Sequence, residues 1–139
     1  MSEGWPADPA YRLWLPGVVT PTLNVSLRQH WSRRRQGVRD LAWAVRAALG
    51  RHGVPAQPFE RALVCIERRT AGTQPDHDGL VGGAKGLIDT LLPMDAVRRP
   101  YGLGFIRDDS PAHLELIVRS RRVGARADQG MLLTITPLP

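Results

Sequence analysis

The chain is nearly free of cysteine: among its 139 residues only Cys65 is present. An intrachain disulfide framework and a cysteine-based zinc site are thereby excluded, and a reducing, intracellular setting fits. Lysine is equally scarce, Lys85 being the only one among 19 basic residues. No apolar run reaches the roughly 18 residues that a membrane span requires, so no membrane partner is expected. The first eight residues carry Glu3 and Asp8 and no apolar core segment, and so do not read as a secretory signal. Internal repeats and low-complexity linkers are absent too. Apolar residues make 42% of the chain and charged residues 23%, the balance of an ordinary folded domain rather than a fibrous or disordered chain. Length and composition predict a loose tail over residues 1–10 and a single domain over residues 11–139.

What is abundant is arginine. Eighteen arginines and one lysine face 13 acidic residues, giving a net charge of +6 and a pI near 10.9. The guanidinium fork suits phosphate, and a basic domain of this size points to nucleic acid. Arginine-for-lysine usage also follows genomic GC content, which is the competing explanation.

The patterning predicts a small α+β domain, a mixed sheet of about five strands with two helices packed on it. Tyr11 to Val19 alternates in part and breaks at Pro16-Gly17. Pro21 to Asn24 reads as a turn. Leu27 to Leu49 reads as a helix whose apolar stripe is Val38, Leu41, Val45 and Ala48, ended by Gly50 and Gly53. Arg61 to Arg69 reads as a strand, Gly83 to Leu92 as a second helix, and Pro93 to Gly102 as a basic loop. Leu103 to Arg107, His113 to Arg119 and Met131 to Leu138 read as strands, with an arginine-rich hairpin or loop from Arg121 to Gly130.

Chemistry concentrates in the aspartates. Asp76-His77-Asp78 follows a strand, and in an extended backbone both carboxylates would point to one side. Asp108-Asp109 follows another strand, and only one of that pair can face a given point. Three aspartates from two strand ends would then converge. Their repulsion, on the order of a few kcal/mol per close pair, calls for a compensating charge. A hard divalent cation supplies it. Taken alone, Asp-x-Asp and Asp-Asp-Ser are also ordinary turns. Lys85 and Asp89, one helical turn apart, are either a helix salt bridge or a cation set beside a metal site.

The ordered set Asp76-His77-Asp78-Gly79-Leu80, Lys85-Gly86-Leu87-Ile88-Asp89-Thr90-Leu91 and Ile106-Arg107-Asp108-Asp109-Ser110 resembles the RusA family of Holliday-junction resolvases, common in phages and prophages. Pro21-Thr22-Leu23-Asn24 before a basic helix and the final Leu-Thr-Ile-Thr strand resemble it as well, so that the likeness runs over residues 11–138. The resemblance implies a small α+β homodimer, in the cytoplasm of a bacterial or phage-infected cell, that cuts four-way DNA junctions with Mg2+, or with Mn2+ as a substitute. By motif position, Asp76, Asp78, Lys85 and Asp109 would be catalytic. Asp76, Asp78 and Asp109 would hold the metal, with Asp89 and Asp108 behind them. Val81 to Ala84 lengthens the gap before the lysine relative to the family's form, and the loop between Asp89 and Asp108 is longer.

Arg28, Arg33, Arg34, Arg35, Arg39, Arg98 and Arg99 are the expected phosphate contacts; a merely solvated basic face is the alternative. His30, His52, His77 and His113 show no zinc-ligand spacing. Trp5, Trp14, Trp31 and Trp43 serve packing or base stacking, Trp31 being the best placed for stacking. Gly82-Gly83 lacks the lysine-serine pair of a phosphate loop and eases the chain into a helix instead. The competing functions are a nuclease for other branched DNA, a DNA-binding accessory protein without cleavage, and a nucleotide-sugar transferase, the last disfavoured by chain length and arginine content.

Overall fold

A computed structural model describes residues 5–21 and 31–139. The Arg28 and His30 readings, residues 22–24 of the turn and the first residues of the expected helix lie outside the described residues, as does the Trp31 side chain.

The architecture is a single α+β domain built on a four-stranded mixed sheet. Strand β1 (Tyr11–Pro16) alternates as its sequence demands, with Leu13 and Leu15 buried and Arg12 and Trp14 facing out. Gly17 then turns the chain at a φ of 72°. Helix α1 (Trp31–Leu49) buries Leu41, Ala42, Val45 and Leu49. It stops at Gly50, whose φ of 57° is the left-handed conformation that closes helices. Strand β2 (Ala62–Thr70) is followed by two short helices, α2 (His77–Gly83) and α3 (Lys85–Leu91), then by β3 (Leu114–Arg122) and β4 (Gly130–Pro137).

The strand order is β1-β4-β2-β3. Strand β4 is antiparallel to both β1 and β2, whereas β2 and β3 run parallel and need the long crossover that α2 and α3 supply. The register aligns Leu13, Leu133, Ile66 and Val118 across the sheet, with Leu15 and Met131 in the adjacent row. All six are buried, in one core with Leu87, Ile88 and Leu91 of α3 and with Leu41 and Val45 of α1.

Two sequence expectations change. The sheet has four strands, not about five, because Leu103–Arg107 makes only an isolated bridge, Phe59 to Ile106. Its N–H groups go elsewhere: Leu103 donates to the Thr90 carbonyl, Gly104 to Leu92, and Phe105 and Ile106 both to Leu91, at 2.8–3.0 Å. The open carbonyls at the end of α3 thus capture the segment. The second helix is two helices meeting at Ala84, and it begins at His77 because Asp76 caps it. Of the two readings left open for 121–130, hairpin or loop, the loop holds beyond the end of β3 at Arg122, since β2 lies between β3 and β4; it carries a single 3-10 turn at Arg126–Asp128.

The sheet's other face has its own order. Trp14, Leu132, Glu67 and Arg119 lie side by side across the four strands. Glu67 is 1% exposed. Its carboxylate accepts from Arg69 Nε at 2.6 Å and from Arg119 Nε at 2.5 Å, and also contacts Arg119 Nη2, with Arg121 at 3.9 Å. The Arg69 guanidinium sits 5.0 Å from the Trp14 ring centre and that of Arg119 4.0 Å from Trp5, as cation–π pairs. Among the described residues, no helix is long and apolar enough to cross a membrane.

Candidate nucleic-acid interface and carboxylate site

Helix α1 turns its apolar stripe onto the sheet, which leaves Arg33, Arg34 and Arg35 of its first turns exposed. Beneath them runs a cleft of about 550 Å³ between α1, the 18–21 segment and α3; Arg33 and Arg34 line one wall, Lys85 and Asp89 the other. A second hollow of about 150 Å³ shares Arg34 and Asp89 and adds Arg35, Arg98, Arg99 and Tyr101. Five of the seven expected arginines therefore border one or other of two hollows that share Arg34 and Asp89. Arg39 instead lies 3.8 Å from Asp40, and Arg28 is outside the described residues.

Asp89 is the carboxylate common to both hollows. It is half-buried, and burial pushes its pKa up. The negative charge of Asp109 acts in the same direction, while Lys85 and Arg99 oppose it. The charge of Asp109 is thus felt at Asp89, although twenty residues separate them in the chain. Among the described residues, no contact ion pair joins Lys85 to Asp89. The lysine, exposed at the start of α3, lines the cleft. Asp108 has a local role: its carboxyl is held low by a hydrogen bond from the Ser110 hydroxyl and by the Asp109 backbone N–H.

Asp76 and Asp78 differ from the extended pair expected. Asp76 is extended at the N-cap of α2, and its Oδ1 accepts the Gly79 backbone N–H at 2.8 Å. Asp78 belongs to the first helical turn, so the two do not alternate along a strand. Among the described residues, no group of three or more histidine, cysteine or acidic side chains is close enough to hold a metal ion. The structure sets Lys85 and Asp89 on one cleft wall, with the charge of Asp109 acting on Asp89; among the described residues it does not bring Asp76 and Asp78 into a three-donor group with Asp109. By donor chemistry, Asp89 and Asp109 suit a hard divalent cation: both are oxygen ligands, and the negative charge of Asp109 bears on half-buried Asp89.

The remaining candidates are structural. His113 Nδ1 lies 2.8 Å from the Glu60 carbonyl oxygen. His52 meets the Tyr11 ring edge-on, and His77 is exposed as the first residue of α2. Burial pushes the thiol of fully buried Cys65 up, keeping it protonated and inert. Two features were not read from the sequence: the pairing of Asp89 with Asp109, and the Glu67 arginine cluster. The second had a signal in Glu67-x-Arg69 and Arg119-x-Arg121, which alternation puts on one face of neighbouring strands. No protein-family model, curated protein or solved structure matches the chain.

Proposed function

We propose that this chain is a metal-dependent endodeoxyribonuclease acting on branched DNA, four-way junctions first among them, as its resemblance to the RusA resolvases implies. The observation that carries the reading is the arginine-bordered cleft whose wall holds Lys85 and Asp89, the latter under the charge of Asp109. Hydrolysis of a phosphodiester needs phosphate held in place, a charge partner for the transition state, and an activated water. Arg33, Arg34, Arg35, Arg98 and Arg99 supply the first through non-specific phosphate contacts. Lys85 supplies the second, beside the phosphate where negative charge develops. Asp89 and Asp109 are the carboxylates that would hold Mg2+ or Mn2+, with Asp76 and Asp78 of the motif on the adjoining helix. Such a cation acidifies a bound water and polarises the phosphate. A homodimer would match the two-fold symmetry of paired incisions.

A second reading is a DNA-binding protein without cleavage. What favours it is Asp76, whose carboxylate serves as a helix cap. The test incubates purified chain with end-labelled four-way junction, flap and linear duplex, with and without Mg2+. Paired, metal-dependent cuts in the junction support the nuclease. Tight junction binding with no cuts in Mg2+ or Mn2+ supports the second reading and removes the first.

A further inference from the structure

The loop from 93 to 102 holds two large apolar side chains out in water. Val97 is 83% exposed and Met94 65%. Single exposed hydrophobic residues are common, but these two are three residues apart, Met94 just before a turn over 95–99 and Val97 within it, and that turn is pinned. Asp95 Oδ1 accepts the backbone N–H groups of Val97 and Arg98, each at 2.9 Å. Asp95 and Arg99 exchange both of their backbone hydrogen bonds, at 3.0 and 2.9 Å. Arg99 Nε donates to the Pro93 carbonyl at 3.3 Å. At the loop's far end, Gly102 packs so closely that a Cβ would lie 2.5 Å from the Leu92 oxygen. A slack tip would fold its apolar groups inward; this one is built to keep them forward.

The flanks state what the tip meets. Arg98 and Arg99 belong to the turn itself, and the hollow behind it is shared with Arg34, Arg35 and Asp89. A ligand satisfying both chemistries is polyanionic outside and offers aromatic faces inside. Duplex DNA hides those faces by stacking, whereas a branch point interrupts the stack and exposes them. Two copies of this chain meeting tip to tip would set arginines against arginines in a protein of charge +6.

We propose that the 93–102 loop is a wedge: Met94 and Val97 enter the interrupted base step at a DNA branch while Arg98 and Arg99 grip the flanking phosphates. Apolar side chains inserted between base steps act in this way in proteins that kink DNA. The inference rests on the DNA reading above and adds to it the element that distinguishes a branch from a continuous duplex. Its position next to Asp89 would place the opened step at the cleft.

The test uses the full chain without divalent metal, so that nothing is cut. A four-way junction carries 2-aminopurine at the branch and a fluorophore on one end. Binding is read by anisotropy and unstacking by 2-aminopurine fluorescence, for the wild type and for a double variant Met94→Ser, Val97→Ser whose melting temperature is checked. The expected result is a fluorescence rise on wild-type binding that the variant at least halves at saturation, while the variant still binds. Junction binding without a rise, or an equal rise with the variant, overturns the wedge and leaves the DNA reading standing. Absence of junction binding by the wild type removes both. A loss of self-association in the DNA-free variant would show the tip to be a protein interface, and also overturns the wedge.

Discussion

Replacing Glu67 with glutamine tests the least conventional feature of the fold, a carboxylate sealed beneath arginines on the sheet face away from the helices. The Glu67 side chain is 2% exposed, whereas those of Arg69 and Arg119 are 27% and 32% exposed. Breaking a buried ion pair by removing one partner costs about 3–5 kcal/mol. Here the orphaned guanidiniums reach water in part and keep their tryptophan faces, which sets the expectation at the lower end, about 3 kcal/mol. The glutamine amide also turns an N–H toward arginine donors. For a chain of 139 residues, the unfolding entropy of about 2.1 cal/mol/K per residue converts this to a drop in Tm of roughly 10 °C. Arg121→Ala is the control: its contact is 3.9 Å long and its side chain 64% exposed, so it should cost about 0.5 kcal/mol or less. The pH dependence has a fixed sign. Burial alone raises the Glu67 pKa, but the hydrogen bonds and charges of Arg69 and Arg119 outweigh it and leave it lowered. A lowered folded pKa stabilises at pH values above the unfolded value of about 4.3, and that contribution is lost as pH falls through the folded pKa. Wild type and Glu67→Gln should therefore differ most near neutrality and draw together as the pH falls from the unfolded value of about 4.3 through the lowered folded pKa. Calorimetry at pH 7 that finds the variant within about 1 kcal/mol of wild type would refute the claim that Glu67 organises this face.

The remaining expectations concern the cleft. Asp109→Asn should abolish junction cleavage while leaving junction binding intact by gel shift; near-native cutting would remove Asp109 from the site. Lys85→Ala should slow cleavage on the order of a hundredfold with little change in binding, as loss of a charge partner for the transition state does. Arg33, Arg34 and Arg35 changed together to alanine should lower the slope of log binding against log salt by up to about 3, and an unchanged slope would route the DNA elsewhere. Sedimentation equilibrium at micromolar concentration should give twice the 15.4 kDa chain mass; a monomer with full paired-cutting activity would dispose of the homodimer.

Much of the fold was legible because its signals are local. Strand β1 announces itself by Leu13 and Leu15 alternating with Arg12 and Trp14, and α1 by the spacing of Leu41, Val45 and Leu49 with Gly50 behind them. The errors arose where backbone groups found partners that periodicity does not encode. Phe105 and Ile106 read as strand residues because they are apolar, and they are fully buried, but their N–H groups serve the carbonyl of Leu91. Gly82 and Gly83 argue against helix by propensity, yet the Asp76 cap starts a helix that runs through them. On the site, the exposed arginines of α1 follow from its apolar stripe. The approach of Asp109 to Asp89 does not, because it depends on where the 103–106 segment docks.

That docking yields a final prediction. The four backbone bonds from 103–106 to the end of α3 fix the chain just before Asp109, and Asp89 lies on the last turn of the same helix. The latch thus joins the two carboxylates mechanically as well as electrostatically. Gly102 is its vulnerable point: a methyl there would lie 2.5 Å from the Leu92 oxygen and 2.7 Å from that of Pro93. Both are backbone atoms that cannot swing aside. Gly102→Ala should therefore shift the latch and lower stability, while Gly124→Ala, with open space around it, should not. The sharper readout is the Asp89 carboxyl. Burial, the largest influence, and the Asp109 charge hold its pKa up against Lys85 and Arg99, so a loosened latch that lets water reach the carboxyl lowers the pKa toward the ordinary aspartate value. Titration of the Asp89 side-chain carbon by NMR in wild type and Gly102→Ala measures this directly. A variant that melts earlier but leaves the Asp89 titration unmoved would show that the 103–106 segment stabilises the core without positioning the site.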